Sequence, residues 1–317
     1  MAKSVSLSNG VEMPLFGFGC AFGNWSDDSQ PKGFSPEDAW PAIRMALDAG
    51  VRHLDCAYVY GTHTHVRDVL GRRFTDGDLK RSDVFITTKL FHPPVPGFLN
   101  PSKTLDMCAD GVDVKAELFK AMDLALEELG VGKVDLLLVH WPGPFGSTDK
   151  SPNRVVRKLC WEVFEELYTS GKARAIGVSN WTEEHIADLK DDGATILPHV
   201  NQIEMSPYTV YDKIVDYCKA NSIVVEAYSP LGSTNGGCLK DPVVVDLAAK
   251  YSKNAGQLVL RWLVQQGIVV LPRSSSAARI ASNMDIFDFE ISAEDMAAIS
   301  ALNKGKTFTN ADPYSIP

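Results

Sequence analysis

Eight short apolar runs recur along the chain, separated by stretches whose apolar residues fall at helical spacing. The runs are LFGFGC from Leu15, RHLDC from Arg52, DVFITTK from Asp83, VDLLLVH from Val134, ARAIGVS from Ala173, LPHVNQIE from Leu197, IVVEAYS from Ile223 and GIVVLP from Gly267. Apolar runs separated by helices read as strands of a parallel sheet covered on both faces. Between two of them, AELFKAMDLALEELG from Ala116 places Leu118, Phe119, Met122, Leu126 and Leu129 on one helical face and stops at Gly130. Ser35 before Pro36 and Asp241 before Pro242 each combine an N-cap with a proline at the first helical position. Eight strand–helix units over about 250 residues predict an α/β fold of the closed (β/α)8 TIM-barrel type, a single domain over residues 1–317. Ahead of it, Asn9-Gly10 in SVSLSNGVEMP suits a type I′ turn, so an N-terminal β-hairpin is expected to close the barrel bottom.

A doubly wound dinucleotide-binding sheet is the rival fold, and GFGCAFG is its best support. Gly17, Gly19 and Gly23 give GxGxxxG instead of GxGxxG, and the polar stretch NWSDDSQPKG follows where a phosphate-binding helix should start. The glycines read better as a strand thinned for close packing. One connection is long, LFHPPVPGFLNPSKTLDMCADGV after Lys89, and in a barrel it would lie over the face where active sites sit.

Composition removes several classes of function. A net charge of −9 argues against nucleic acid, which needs a basic stripe. No apolar run approaches the roughly 20 residues of a membrane helix, and MAKSVSLSNG lacks the apolar core of a signal peptide. The six cysteines form no CxxC pair and suit reduced thiols in a cytoplasmic protein. Oligomeric state is not legible.

The strand ends carry the residues that an apolar pattern does not explain. RHLDCAYVYG ends its strand at Asp55 and reaches Tyr60 after a short loop; FITTK closes on Lys89; LLLVHWP runs into His140, Trp141 and Pro142. Alone, His140 reads as a satisfied core histidine, and Asp55 with Lys89 as a structural ion pair. Together, at one barrel mouth, the Asp, Tyr, Lys and His resemble the aldo-keto reductases, and the resemblance runs from the hairpin to FDFEISAEDM near the C-terminus. It implies an NADPH-dependent carbonyl reductase acting on a small-molecule aldehyde or ketone, with an aldose among the options. Hydride addition to a carbonyl creates an alkoxide that needs a proton donor and local positive charge. Tyr60 would donate the proton and Lys89 would lower its pKa. Asp55 would hold Lys89, and His140 would orient the carbonyl.

The same resemblance assigns the cofactor. Ser179, Asn180 and Gln202 match positions that bind the nicotinamide carboxamide, and Tyr228 matches the aromatic stacked beneath the ring. Ser229, Leu231 and Ser233 match the pyrophosphate loop; Arg273, Ser274 and Arg279 match the clamp on the 2′-phosphate, and Asn283 would touch the adenine. The substrate pocket is expected to include Ala21, Phe91 and Trp141. Lysine is usual where Arg273 stands, and a common glutamate is Ser282 here; NADPH remains favoured, and these departures leave room for NADH. The usual GTW of the first strand is GCA, so Ala21 replaces an indole, and YGTHTH puts His63 and His65 beyond the tyrosine without a third metal ligand. Two other functions compete. One is a hydrolase using Glu204 and Glu226 as paired carboxylates. The other is a non-catalytic or redox-sensing NADPH-binding barrel.

Overall fold

The computed structural model describes residues 3–24, 33–34, 36–94, 103–104, 106–232, 237–309 and 312–317. All eight apolar runs contribute strands of one sheet: β1 Phe18–Gly19, β2 His53–Asp55, β3 Phe85–Leu90, β4 Leu136–Val139, β5 Ile176–Ser179, β6 Val200–Glu204, β7 Val224–Tyr228 and β8 Val269–Leu271. Neighbours in the sheet are neighbours in the chain, and every pairing is parallel. The sheet curls until its first and last strands meet: Gly17 N donates to Val270 O at 2.9 Å and Val270 N to Leu15 O at 3.0 Å. This is the expected (β/α)8 barrel. Helices α1 Ala39–Asp48, α2 His63–Thr75, α3 Val114–Leu129, α4 Lys150–Thr169, α5 Glu183–Asp191 and α6 Asp212–Ala220 follow the first six strands in turn. Helices α7 Pro242–Lys250 and α8 Ala255–Gln265 precede β8, and α9 Ala277–Met284 and α10 Ala293–Ser300 follow it.

Local signals account for many helix ends. Asp241 caps α7 by accepting from Val243 N, with Pro242 in the first turn, and Gly130 ends α3 at φ 64°. The buried stripe of α3 uses Val114, Leu118, Ala121, Met122, Ala125 and Leu129, while Phe119 and Leu126 are only partly covered. Small residues let α3 lie close to the sheet, which size-weighted periodicity does not reveal. Ser35 lies outside the described residues; Pro36 opens a 3-10 turn, Pro36–Asp38, that leads into α1.

The hairpin is present, Ser4–Ser6 pairing with Glu12–Pro14, but its turn is not type I′. Only Gly10 has a positive φ, 81°, and Leu7 N donates to Val11 O across a three-residue loop. The Asn9 side chain is spent elsewhere, accepting from Val11 N and donating to Arg174 O. Leu7 and Met13 pack with Phe85, Leu136, Leu138, Ala175, Val200 and Val269, so the hairpin plugs the barrel bottom as expected.

Above this apolar plug, strand alternation turns polar groups inward: His53, Thr87, Gln202 and Glu226, then Asp55 and Lys89. Glycine makes the β1–β8 seam possible. A Cβ on Gly17 would lie 2.6 Å from Leu271 Cδ2 and 2.7 Å from His53 Nδ1. Gly17→Ala is therefore expected to destabilise the fold by about 1–3 kcal/mol. Denaturant titration beside the parent chain checks this, and an unchanged midpoint would contradict the seam geometry.

Candidate active site

Asp55 is the last residue of β2, and a 3-10 turn, Tyr58–Tyr60, carries the chain from it to Tyr60. Gly61, at φ 69°, lets the chain leave that turn into α2. Lys89 sits near the end of β3, and His140 follows β4, its N bonded to Leu90 O. All four side chains are buried. The Lys89 ammonium donates to Asp55 Oδ1 and Oδ2 at 2.7 and 2.8 Å, to Cys56 O at 3.0 Å and to Tyr60 Oη at 3.3 Å. The Tyr60 and His140 rings meet edge to face, centroids 5.7 Å apart. The structure thus brings the four predicted groups together.

Their electrostatics follow from burial and partners. Burial opposes the Lys89 charge, but Asp55 and then Tyr60 outweigh it and hold its pKa above the ordinary value. For Tyr60 burial wins over Lys89, and the phenol is pushed up to about 12. Lys89 therefore does not lower the phenol below its ordinary pKa; it only limits the rise. Burial, then His92 and Lys89, keep His140 well below the usual imidazole range, so the ring is neutral at pH 7.

Phe91 does not line the space in front of His140. Its backbone is left-handed, φ 61°, and its side chain joins the main apolar core. The next residue, His92, takes the position: its ring lies 4.9 Å from that of His140, 6.3 Å from Trp141 and 5.8 Å from Phe145. Trp141 and the exposed Phe145 meet at 4.7 Å and complete an aromatic wall. Ala21 packs against Ala57, Val59 and Tyr60. Asn180 and Ser229 also have positive φ, 63° and 49°, each directly after a barrel strand. Left-handed non-glycine backbone costs energy and gathers where a site dictates geometry.

The residues matched to the nicotinamide end form a connected set. Asn180 Nδ2 donates to His140 O and to Ser179 Oγ, and Tyr228 Oη donates to Asn180 Oδ1 at 2.9 Å. Gln202 points inward: its amide nitrogen donates to Asp55 Oδ1 at 3.0 Å and Glu226 Oε2 at 2.7 Å. At the other end, Ser274 Oγ accepts from Ser276 N and from Arg279 Nε beside the N-terminus of α9. Arg273 is half-buried and donates to Ala21 O at 2.7 Å. Among the described residues no carboxylate pairs with Arg273 or Arg279, an arrangement suited to an anionic ligand at a helix N-terminus. Leu231 and Asn283 both lie near Gly256, where an added Cβ would come 3.9 and 3.6 Å from them and 3.2 Å from Asn254 Oδ1. Ser233 lies outside the described residues.

Other sequence features are spent on structure. His63 bonds Glu128 through Nδ1 and Thr88 through Nε2, and among the described residues no three metal-ligating side chains gather. Glu204 accepts from Phe308 N, Thr309 N and the Thr309 hydroxyl, and Glu226 is enclosed in the barrel. The two carboxylates therefore do not flank an open cleft, which removes the basis for a hydrolase. His92, His53 and the inward role of Glu226 are the site features that the sequence reading missed.

Comparison with known proteins agrees with this geometry. The Aldo/keto reductase family model matches residues 20–304. The chain is 36% identical to glyoxal reductase of Bacillus subtilis, over 96% of this chain and 94% of that protein. It is 33% identical to aldo-keto reductase family 1 member A1-A of Danio rerio, over 97% and 92%. The crystal structure of a Bombyx mori aldo-keto reductase in complex with NADP superposes with a TM-score of 0.81 at 30% identity, covering 97% of this chain and 95% of that one.

Proposed function

The chain belongs to the aldo/keto reductase family, and we propose that it is an NADPH-dependent reductase of aldehydes or ketones in which Tyr60 is the general acid. The observation that carries this reading is the Lys89 ammonium, which bonds both the Asp55 carboxylate and the Tyr60 hydroxyl beside a neutral His140. Bound NADPH supplies the hydride. The neutral imidazole of His140 donates a hydrogen bond to the substrate carbonyl and orients it. Tyr60, protonated at pH 7, gives its proton to the carbonyl oxygen as negative charge develops there. The resulting phenolate is stabilised by Lys89, and Asp55 keeps that ammonium in place. Arg273, Ser274 and Arg279 would hold the 2′-phosphate, Asn180 and Ser179 the carboxamide, and Tyr228 the ring face. Ser229, Leu231 and Ser233 would follow the pyrophosphate, and Asn283 the adenine. One continuous core runs from Phe16 to Ile299, which supports one barrel domain over residues 1–317. All six cysteines are free thiols, which suits the cytoplasm. A panel of carbonyl compounds with NADPH tests the reading; binding of NADPH with no turnover of any aldehyde or ketone would overturn it in favour of a non-catalytic binder.

Ala21 bears on substrate size. It borders Tyr60, at the position where the aldo-keto reductase pattern commonly carries an indole. Bulky ketones and aromatic aldehydes are expected to be accepted. Ala21→Trp should raise KM for them while sparing small aldehydes, a discrimination of about 1–3 kcal/mol. Equal losses across a size series would place position 21 away from the substrate.

A further inference from the structure

Beneath the four groups at the mouth lies a second ionisable pair that the proposed reaction leaves unused, Glu226 on β7 and His53 on β2, both fully buried. Glu226 Oε2 accepts from Gln202 Nε2, which also donates to Asp55 Oδ1, so one amide ties Glu226 to the counter-ion of Lys89. The other oxygen, Oε1, has no hydrogen-bond partner and stands 3.6 Å from His53 Nε2, which is itself bonded to Thr87 Oγ1 at 2.9 Å. A buried carboxylate oxygen without a donor is costly, whereas a neutral carboxyl in that place is tolerable.

We propose that Glu226 is a positioning residue for carbonyl reduction: through Gln202 it fixes Asp55, and its proton keeps the Asp55–Lys89 pair electrically balanced. Loss of that proton adds a negative charge beneath the pair, which raises the energy of the Tyr60 phenolate and slows proton transfer. This inference rests on Tyr60 being the acid.

The groups around Glu226 single it out. From β2 it faces Asp55 and His53, from β3 Lys89, and from β6 Gln202, directly opposite in register. Its partner on β8 is Val269, which does not titrate. Burial, with Asp55 adding and Gln202 and Lys89 opposing, raises Glu226 to about 8. Burial drives His53 down to about 4, so the proton sits on the carboxyl and not on the imidazole. Tyr60 at about 12 leaves the alkaline range near 8 to Glu226.

The test is the single-turnover rate of NADPH oxidation with one aldehyde from pH 6 to 9.5, in the parent chain and in Glu226→Gln. The parent is expected to lose about fivefold between pH 7 and 9, for one added charge in a medium of intermediate dielectric. Glu226→Gln, which keeps the acceptor for Gln202 but cannot ionise, should hold its rate across that range. Glu226→Leu serves as a second non-titrating variant, and its profile should also be flat near pH 8. Thermal unfolding gives an independent readout. Between the unfolded carboxyl pKa and about 8, folded Glu226 holds a proton that the unfolded state has lost, so its contribution falls as pH rises, and the stability of the parent relative to Glu226→Gln should fall with pH across that window. Identical pH profiles in parent and variants would overturn the proposal while leaving the reductase reading intact; absence of turnover in the parent would overturn both.

Discussion

Replacing Tyr60 by phenylalanine is expected to lower the rate of carbonyl reduction by about 100- to 10,000-fold, the usual worth of a positioned general acid. The phenyl ring keeps the packing of Tyr60 against Ala57, Val59 and Ala21. Lys89 keeps three of its four bonds, to both Asp55 oxygens and to Cys56 O, so the charge pair survives. What disappears is the proton and the oxygen that Lys89 stabilises after its transfer. NADPH affinity should be nearly unchanged, because the substitution removes only the hydroxyl and leaves the ring in place. Parallel cofactor titration and turnover assays check both halves. Near-normal turnover by the variant would remove Tyr60 from the role.

The chain declares its strands because most are short apolar runs separated by helical stretches, several of them ending at a polar residue, and the barrel follows from counting them. It declares the mouth as well, since Asp55, Lys89 and His140 all interrupt apolar runs. The layer below was half legible. His53, Thr87 and Glu226 stand two residues before Asp55, Lys89 and Tyr228, so strand alternation alone puts them on the inner face. Their partners were not legible, because the Gln202–Glu226 contact depends on the register between β6 and β7. Position 91 failed for another reason. Phenylalanine rarely adopts a positive φ, so nothing in LFHPP signals the turn that sends Phe91 into the core and His92 to the wall. Asn9 failed likewise, its side chain being drawn to Arg174 O across 165 residues of sequence.

Arg279→Ala is expected to weaken NADPH far more than NADH. The side chain is exposed at the start of α9, its Nε donating to Ser274 Oγ at 3.2 Å, with no carboxylate partner among the described residues. A guanidinium so placed has a free fork for the phosphate that only NADPH carries. A charge-assisted bond of roughly 1.5–3 kcal/mol corresponds to about 10- to 150-fold in affinity, and solvent exposure points to the lower part of that range. Arg273→Ala is the informative contrast. Its Nη1 donates to Ala21 O at 2.7 Å and its guanidinium lies over the Phe22 ring, so its loss also loosens the end of β1 beside Tyr60. That variant should bind both cofactors less well, and only Arg279→Ala should change their ratio strongly. Titrating the two variants with NADPH and NADH separates the roles. Equal losses of both cofactors in Arg279→Ala would move that side chain off the 2′-phosphate.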